Sequence, residues 1–221
     1  MFGLKTQMIA PANALKGRDE PIPTEDTHFV LHTPLKGPYP AGLETVVFAM
    51  GCFWGVERKF WQQPGVYVTA AGYIGGYTPN PTYKEVSAGK TGHTEAVKIV
   101  YDPAKVSYGK LLQVFWRNHD PLTANAQFCD RGSQYRAGIY YGSEQEKAQA
   151  EASKAELEKS GRFKSRITTE IVAQTTFYPA EDYHQDYYLK NPIRYKIYRG
   201  GCGRDSRLRE LWGAEAGGGQ S

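Results

Sequence analysis

The 221-residue chain carries 27 Lys and Arg against 23 Asp and Glu, a net charge of +4, and is 40% hydrophobic, which suits a soluble globular protein with one well-buried core. Its basic residues are scattered apart from Arg204, Arg207 and Arg209, which argues against a nucleic-acid-binding face; no run nears the roughly 18 apolar residues of a membrane span, and the N-terminus lacks the apolar stretch of a secretory signal. The three cysteines, Cys52, Cys129 and Cys202, lie far apart without a CxxC pair, which speaks against structural zinc and against a disulfide-stapled secreted scaffold. A reduced, cytoplasmic protein is expected, with each thiol either buried filler or reactive.

Residues 1–43 are rich in Pro and turn residues and show no period, so they read as an irregular arm that wraps the domain or stays mobile. The run "TVVFAM" (45–50) suits a buried strand, and a helix follows over 52–63, with Phe53, Val56 and Phe60 on one side and Pro64-Gly65 stopping it. Residues 66–73 read as the next strand. Residues 74–93 form a long Gly/Pro loop, a kind that is more often functional than not. The alternation over 94–102 predicts a half-buried strand, with Glu95, Val97, Ile99 and Tyr101 on one face.

Residues 107–120 are amphipathic helix, with Leu111, Leu112, Phe115 and Trp116 inward. A second loop (121–135) leads to a strand over 136–141. Ser143 and Glu146 then form a capping-box sequence that opens an Ala/Glu/Lys-rich helix ending at Gly161. A further strand is expected over 166–174 and a short aromatic helix over 179–191. The order β-α-β-β-α-β-α-β-α begins with the split βαβ arrangement of ferredoxin-like folds. One α+β domain with a mixed, largely antiparallel sheet is therefore expected. It divides into an N-terminal arm (1–43), a catalytic body (44–199) and a flexible Gly-rich C-terminal segment (200–221).

Cys52 falls where a strand gives way to a helix, and the unsatisfied amides and dipole of a helix start favour a thiolate. Gly51 and Gly55 leave room for approach, although "CFW" reads equally well as three core residues. Cys202 lies in "RGGCGRD", a segment that reads as too flexible for core. A nucleophilic thiol that becomes oxidised needs a second thiol able to come within a Cα–Cα distance of about 5.5–6 Å, so one partner must move. A rigid Cys52 and a mobile Cys202 fit those two roles.

Glu95 is the candidate proton donor, because a carboxyl drawn into an apolar pocket has its pKa raised. The plainer reading is a solvated strand end. Tyr83, Asp130 and Tyr135 lie in the two long loops and together could hydrogen-bond a polar oxygen or a water. His184 sits among aromatic and acidic residues, while His28, His32, His93 and His119 show no metal-ligand spacing.

The motifs "GCFWGVER", "GYIGGYTPNPTY", "TGHTEAVKIVYDP", "FWRNHDP", "DRGSQYRAGIYY" and "FYPAEDYHQDYYLKNP" resemble, in this order, the A-type peptide methionine sulfoxide reductases. The resemblance covers residues 45–193, and the segment "APANAL" resembles an N-terminal extension of some bacterial members. It implies that Cys52 attacks the sulfoxide sulfur of methionine-S-sulfoxide, protein-bound or free. Phe53 and Trp54 would seat the substrate methyl group, and Glu95 would protonate the oxygen. Tyr83, Asp130 and Tyr135 would complete the polar side, and His184 and Tyr187 match positions at the pocket wall. The sulfenic acid left on Cys52 would condense with Cys202, and thioredoxin would reduce the disulfide. No bound cofactor or metal is implied. The expected partners are thioredoxin and oxidised proteins, and the expected state is a monomer.

Two features depart from the family pattern. The C-terminal segment holds one cysteine where some members have two, so a second relay disulfide from the tail is absent. Cys129 precedes Asp130 where a small polar residue is expected; an inert buried thiol is the favoured reading, and interception of the sulfenic acid in place of Cys202 is the other. Two further classes compete with the reductase: a cysteine acyl-transferase or hydrolase built on Cys52, His184 and an acid, and a non-catalytic module that grips apolar peptide groups with its aromatic cluster.

Overall fold

The computed structural model describes residues 7–217. Residues 1–6 of the expected arm and 218–221 of the expected tail lie outside the described residues. The elements in chain order are β1 (Glu44–Ala49), α1 (Phe53–Trp61), β2 (Val66–Ile74), α2 (Tyr83–Ser87), β3 (Thr94–Tyr101), α3 (Tyr108–Arg117), β4 (Ala126–Gln127), β5 (Asp130–Arg131), β6 (Gly138–Tyr141), α4 (Glu144–Lys159), β7 (Glu170–Ala173), β8 (Tyr178–Pro179), α5 (Tyr187–Lys190), α6 (Pro192–Gly201) and α7 (Arg204–Trp212). The main sheet runs β7-β6-β1-β3-β2-β8. Its centre, β6-β1-β3-β2, is antiparallel throughout. The edge strand β7 pairs parallel to β6, and β8 pairs antiparallel to β2. This is the expected mixed, largely antiparallel sheet of a split βαβ core.

Alternation along the strands sorts the apolar side chains to two faces. Val46, Phe48, Tyr73, Val97, Ile99, Tyr101 and Ile139 pack under α1 and α3 against Val56, Phe60, Leu111 and Phe115. The expectation for β3 was a strand half-exposed to water, but both of its faces are covered. Val68, Ala70 and Val100, on the far face, pack with Leu35 of the N-terminal arm. The arm therefore supplies part of the core that the strand pattern left open.

Polar contacts fasten the arm as well. His28, fully buried, accepts from the Val30 and Leu31 amides at Nδ1, both at 3.1 Å, and meets Thr69 Oγ1 through Nε2 at 2.8 Å. Burial lowers its pKa to about 4, so the ring is neutral and Nε2 carries the proton. Its neighbour Asp186 accepts from the Phe29 amide at 3.0 Å, and the Asp186 amide donates to Glu57 of α1 at 2.9 Å. Burial raises the pKa of both Glu57 and Asp186, each then pushed further or held by its neighbours' charges. Donor atoms of His28, Glu57 and Asp186 thus converge within 4.8 Å, a grouping that sequence spacing did not reveal. Backbone amides and Thr69 engage His28 Nδ1, both Glu57 oxygens and Asp186 Oδ2, while Asp186 Oδ1 lies 3.1 Å from His28 Nδ1 without a hydrogen-bond partner among the described residues.

Two further regions differ from expectation. The loop over 74–93 contains α2, closed by a reciprocal capping box between Thr82 and Glu85; Arg18 of the arm adds a two-pronged pairing to the Glu85 carboxylate at 3.0 and 2.7 Å. The Gly-rich segment from 200 onward is helical over most of its described length, where a flexible tail was expected. Its stripe Leu208, Leu211 and Trp212 joins the main core, and that burial outweighs the poor helix propensity of the glycines before it.

Leu35→Ala tests whether the arm belongs to the folded body. It should lower stability by about 2–5 kcal/mol, read as a fall in the denaturant midpoint with an unchanged slope.

Candidate active site

Gly51 links β1 to α1 at φ +78°, and a Cβ there would lie 2.4 Å from Gln127 Cβ. Glycine is required on both counts, since this backbone region is costly for other residues. The tight turn delivers Cys52 as the N-cap of α1, 6% exposed and with no side-chain capping bond. Its placement at a helix start is as expected, but its ionisation is not. Burial pushes the thiol well above its usual range, and the carboxyls of Glu95 and Asp130 push it further. Arg204 and the Trp54 amide pull the other way without overcoming this. The resting sulfur is a protonated thiol, because desolvation outweighs the helix-start field.

Glu95 projects from β3 beneath the first turn of α1, on the face shared with Val97 and Ile99, and is 1% exposed. The Phe53 amide donates to its Oε2 at 3.0 Å. Burial raises its pKa to about 8, the Phe53 amide partly offsets this, Asp130 adds to it and Arg204 opposes it. Near neutral pH the carboxyl therefore keeps its proton beside the Cys52 thiol, as a proton donor must.

The polar side of the site is built by three separate elements. Tyr83 opens α2 and is fixed by its amide, which donates to Glu181 Oε1 at 2.7 Å. Tyr135 ends the short 3-10 turn Ser133–Tyr135, and Asp130 opens β5. Burial is the main reason both phenols hold their protons, with Glu95, Cys52 and Asp130 each near enough to add to it. The expected grouping of Tyr83, Asp130 and Tyr135 around Cys52 and Glu95 is thus present in the fold.

An aromatic wall faces them. Phe53 is buried against Tyr73 and His184, at ring-centroid distances of 5.9 and 5.1 Å. Trp54 stacks on Tyr187 at 3.8 Å and 9°, and its indole N–H donates to His184 Nδ1 at 3.0 Å. His184 is buried, its pKa lowered by desolvation to about 4. It accepts at Nδ1 and so carries its proton on Nε2, which has no hydrogen-bond partner among the described residues. His184 also packs against Tyr83 at 4.3 Å, so it joins the aromatic wall to the polar side.

Two residues of this site escaped the sequence reading. Tyr198 of α6 donates its hydroxyl to Asp130 Oδ2 and sets its ring edge against Trp54 at 5.8 Å. Arg204, at the start of α7, is 3% exposed and lies 4.2 Å over the Phe128 ring; it is the cation that opposes the acidic groups of the site. Tyr198 and Cys202 stand four residues apart, a signal of one shared helix face, but reading it required α6 to be assigned as helix.

The cysteines differ most from expectation. Cys129 and Cys202 are bonded to each other, with a Cα–Cα distance of 5.0 Å, and Cys52 is the free thiol. Cys129 is not the buried thiol expected: it is exposed, in the turn between β4 and β5 beside Asp130. Cys202 is 9% exposed and caps the C-terminal end of α6 instead of lying in a flexible loop.

The family model described as Peptide methionine sulfoxide reductase matches residues 44–216. A relative from Synechocystis, "Peptide methionine sulfoxide reductase MsrA 1", is 54% identical over 199 residues, covering 88% of this chain and 89% of its own. A Caulobacter vibrioides protein of the same description is 56% identical over 191 residues, covering 86% and 88%. The solved methionine sulfoxide reductase A of Corynebacterium diphtheriae superposes with a TM-score of 0.76 at 39% identity, over 85% of this chain and 92% of that one. The Saccharomyces cerevisiae protein Mxr1 in reduced form gives 0.65 at 32% identity, over 70% and 89%. With the fold, the Cys52 turn and the buried Glu95 in place, these similarities show that the chain belongs to the peptide methionine sulfoxide reductase family.

Proposed function

We propose that the chain reduces methionine-S-sulfoxide, protein-bound and free, with Cys52 as nucleophile and Glu95 as proton donor. The observation that carries this reading is the protonated carboxyl held in a water-excluded site beside the one free thiol. A sulfoxide has a compact methyl group and a strongly accepting oxygen. The Phe53 and Trp54 rings suit the methyl, while Glu95, Tyr83 and Tyr135 suit the oxygen as donors.

In the reaction, Sγ of Cys52 attacks the sulfoxide sulfur as Glu95 delivers its proton to the oxygen. The thiol proton replaces the one Glu95 gives up, the oxygen ends on Cys52 as sulfenic acid, and methionine leaves. A thiol that is protonated at rest is protected from adventitious oxidation, since reactivity follows the thiolate. Loss of its proton then accompanies attack on bound substrate. Cys202 condenses with the sulfenic acid, releasing water and forming a disulfide, and two electrons from thioredoxin close the cycle. Such a cycle belongs in a reducing cytoplasm. In support of this role, Cys202 caps α6, the helix whose Tyr198 touches Trp54 and Asp130 at the edge of the site.

The hydrolase alternative asks His184 to serve as base toward Cys52. That role sits poorly with a ring whose Nδ1 accepts from Trp54 and whose protonated form is disfavoured by burial.

Three outcomes are expected. Cys52→Ser should abolish methionine formation while leaving the denaturation midpoint close to that of the parent; sustained turnover would defeat the proposal. The single-turnover rate should be level below and fall above about pH 8 as Glu95 loses its proton, because the group acts in its acid form. Glu95→Gln should slow that step by about 10²–10⁴-fold and remove the descending limb. Cys202→Ser should form about one methionine per enzyme and then stall with thioredoxin, as counted by amino-acid analysis.

A further inference from the structure

We propose that Cys129 is the recycling thiol of this chain, taking the disulfide from the active site to the surface where a dithiol reductant reaches it. The inference rests on the Cys52 and Cys202 chemistry set out above and assigns a role to a residue that chemistry leaves unused.

The three sulfurs are graded by exposure. Cys52 is 6% exposed, Cys202 9%, and Cys129 is exposed. A protein reductant cannot bring its own sulfur to Cys52 behind the aromatic wall without opening the site. The exposed sulfur, by contrast, is bonded to Cys202, the thiol placed to resolve Cys52. The surroundings tie this pair to the site. Cys129 sits in the two-residue turn between β4 and β5, next to Asp130, whose carboxylate receives Tyr198 from the helix that ends at Cys202. Cys202 is flanked by Gly200, Gly201 and Gly203, around which a side chain would meet nothing within 4 Å. That open corner between α6 and α7 gives Cys202 room to turn from one sulfur to the other, while Cys129 stays fixed on its hairpin.

The sulfenic acid of Cys52 and the thiol of Cys202 form the Cys52–Cys202 disulfide and release water. Cys129, as thiolate, attacks Cys202 Sγ; the new Cys129–Cys202 bond forms, and Cys52 leaves as thiolate and regains a proton. A dithiol reductant such as thioredoxin then attacks Cys129 Sγ, and Cys202 leaves with the electron pair. The Cys129 amide points at Cys202 Sγ at 3.3 Å, a donor that favours the departing negative charge. The reductant's second thiol closes its own disulfide and frees Cys129.

This sequence regenerates Cys52 before any reductant acts, which fixes a stoichiometry. Fully reduced enzyme, given excess methionine sulfoxide and no reductant, should release about two methionines per chain, the second leaving a sulfenic acid on Cys52. Cys129→Ser should release about one, with Cys52–Cys202 as its disulfide in peptide mass spectrometry. One methionine per parent chain, with the disulfide at Cys52–Cys202, would overturn the proposal and leave the reductase reading standing. None would overturn the reductase reading itself. A thioredoxin lacking its second active-site cysteine gives an arm that does not depend on any variant of this chain folding: the trapped mixed disulfide should map to Cys129, and mapping to Cys52 or Cys202 would refute the assignment.

Discussion

The Phe53 amide donates to Glu95 at the point where β3 passes beneath the start of α1, and the carboxyl is almost entirely out of water. A hydrogen bond from an amide favours the ionised form, whereas removal from water favours the neutral one. Here desolvation wins, and the proton stays on. The same exclusion of water keeps Cys52 a thiol and Tyr83 and Tyr135 as phenols. The chemistry thus depends on a dry pocket more than on any single charge within it, and Arg204 moderates that pocket without reversing it.

Keeping the pocket dry is the work of elements that contribute little chemistry. The Trp54–Tyr187 stack and the His184 ring close one side. Tyr187 and His184 hold their places because Asp186 and Gln185 between them are tied inward: Asp186 to Glu57 and the arm, Gln185 to both backbone groups of Ala71. The arm in turn needs the far face of the sheet, where Leu35 meets Val68, Ala70 and Val100. Arm, sheet and pocket wall consequently form one mechanical unit. Loss of packing at the arm would be felt at the aromatic wall through the His28–Asp186–Glu57 contacts.

Much of this was legible along the chain. Strand and helix periods placed the split βαβ core, because each element has a one-sided apolar pattern. The turn at Gly51-Cys52 was legible because a strand period changes there to a helical one. The side of β3 that Glu95 takes was legible from alternation, since it shares parity with Val97 and Ile99, while its burial was not. What periodicity missed were the elements whose order comes from distant partners. The α2 turn depends on its capping box and on Arg18, and α6 ends in two glycines, with Gly203 before α7, that local propensity counts against. The ionisation of Cys52 was misjudged for the same reason: a helix start is a local feature, but burial belongs to the whole fold.

The sequence by itself determined the family, the sheet topology and the residues of the candidate site, because these follow from short-range pattern and from motifs that stay together in the chain. It could not decide which sulfurs meet. Cys129 and Cys202 are 73 residues apart, one on a hairpin and one at a helix end, and their pairing follows from α7 burying Leu208, Leu211 and Trp212 and so carrying the corner at Cys202 onto the hairpin. Nor could it decide charge states, since a thiol or carboxyl takes its pKa from the water excluded around it, and that exclusion exists only once the arm, the sheet and the C-terminal helices have closed on one another.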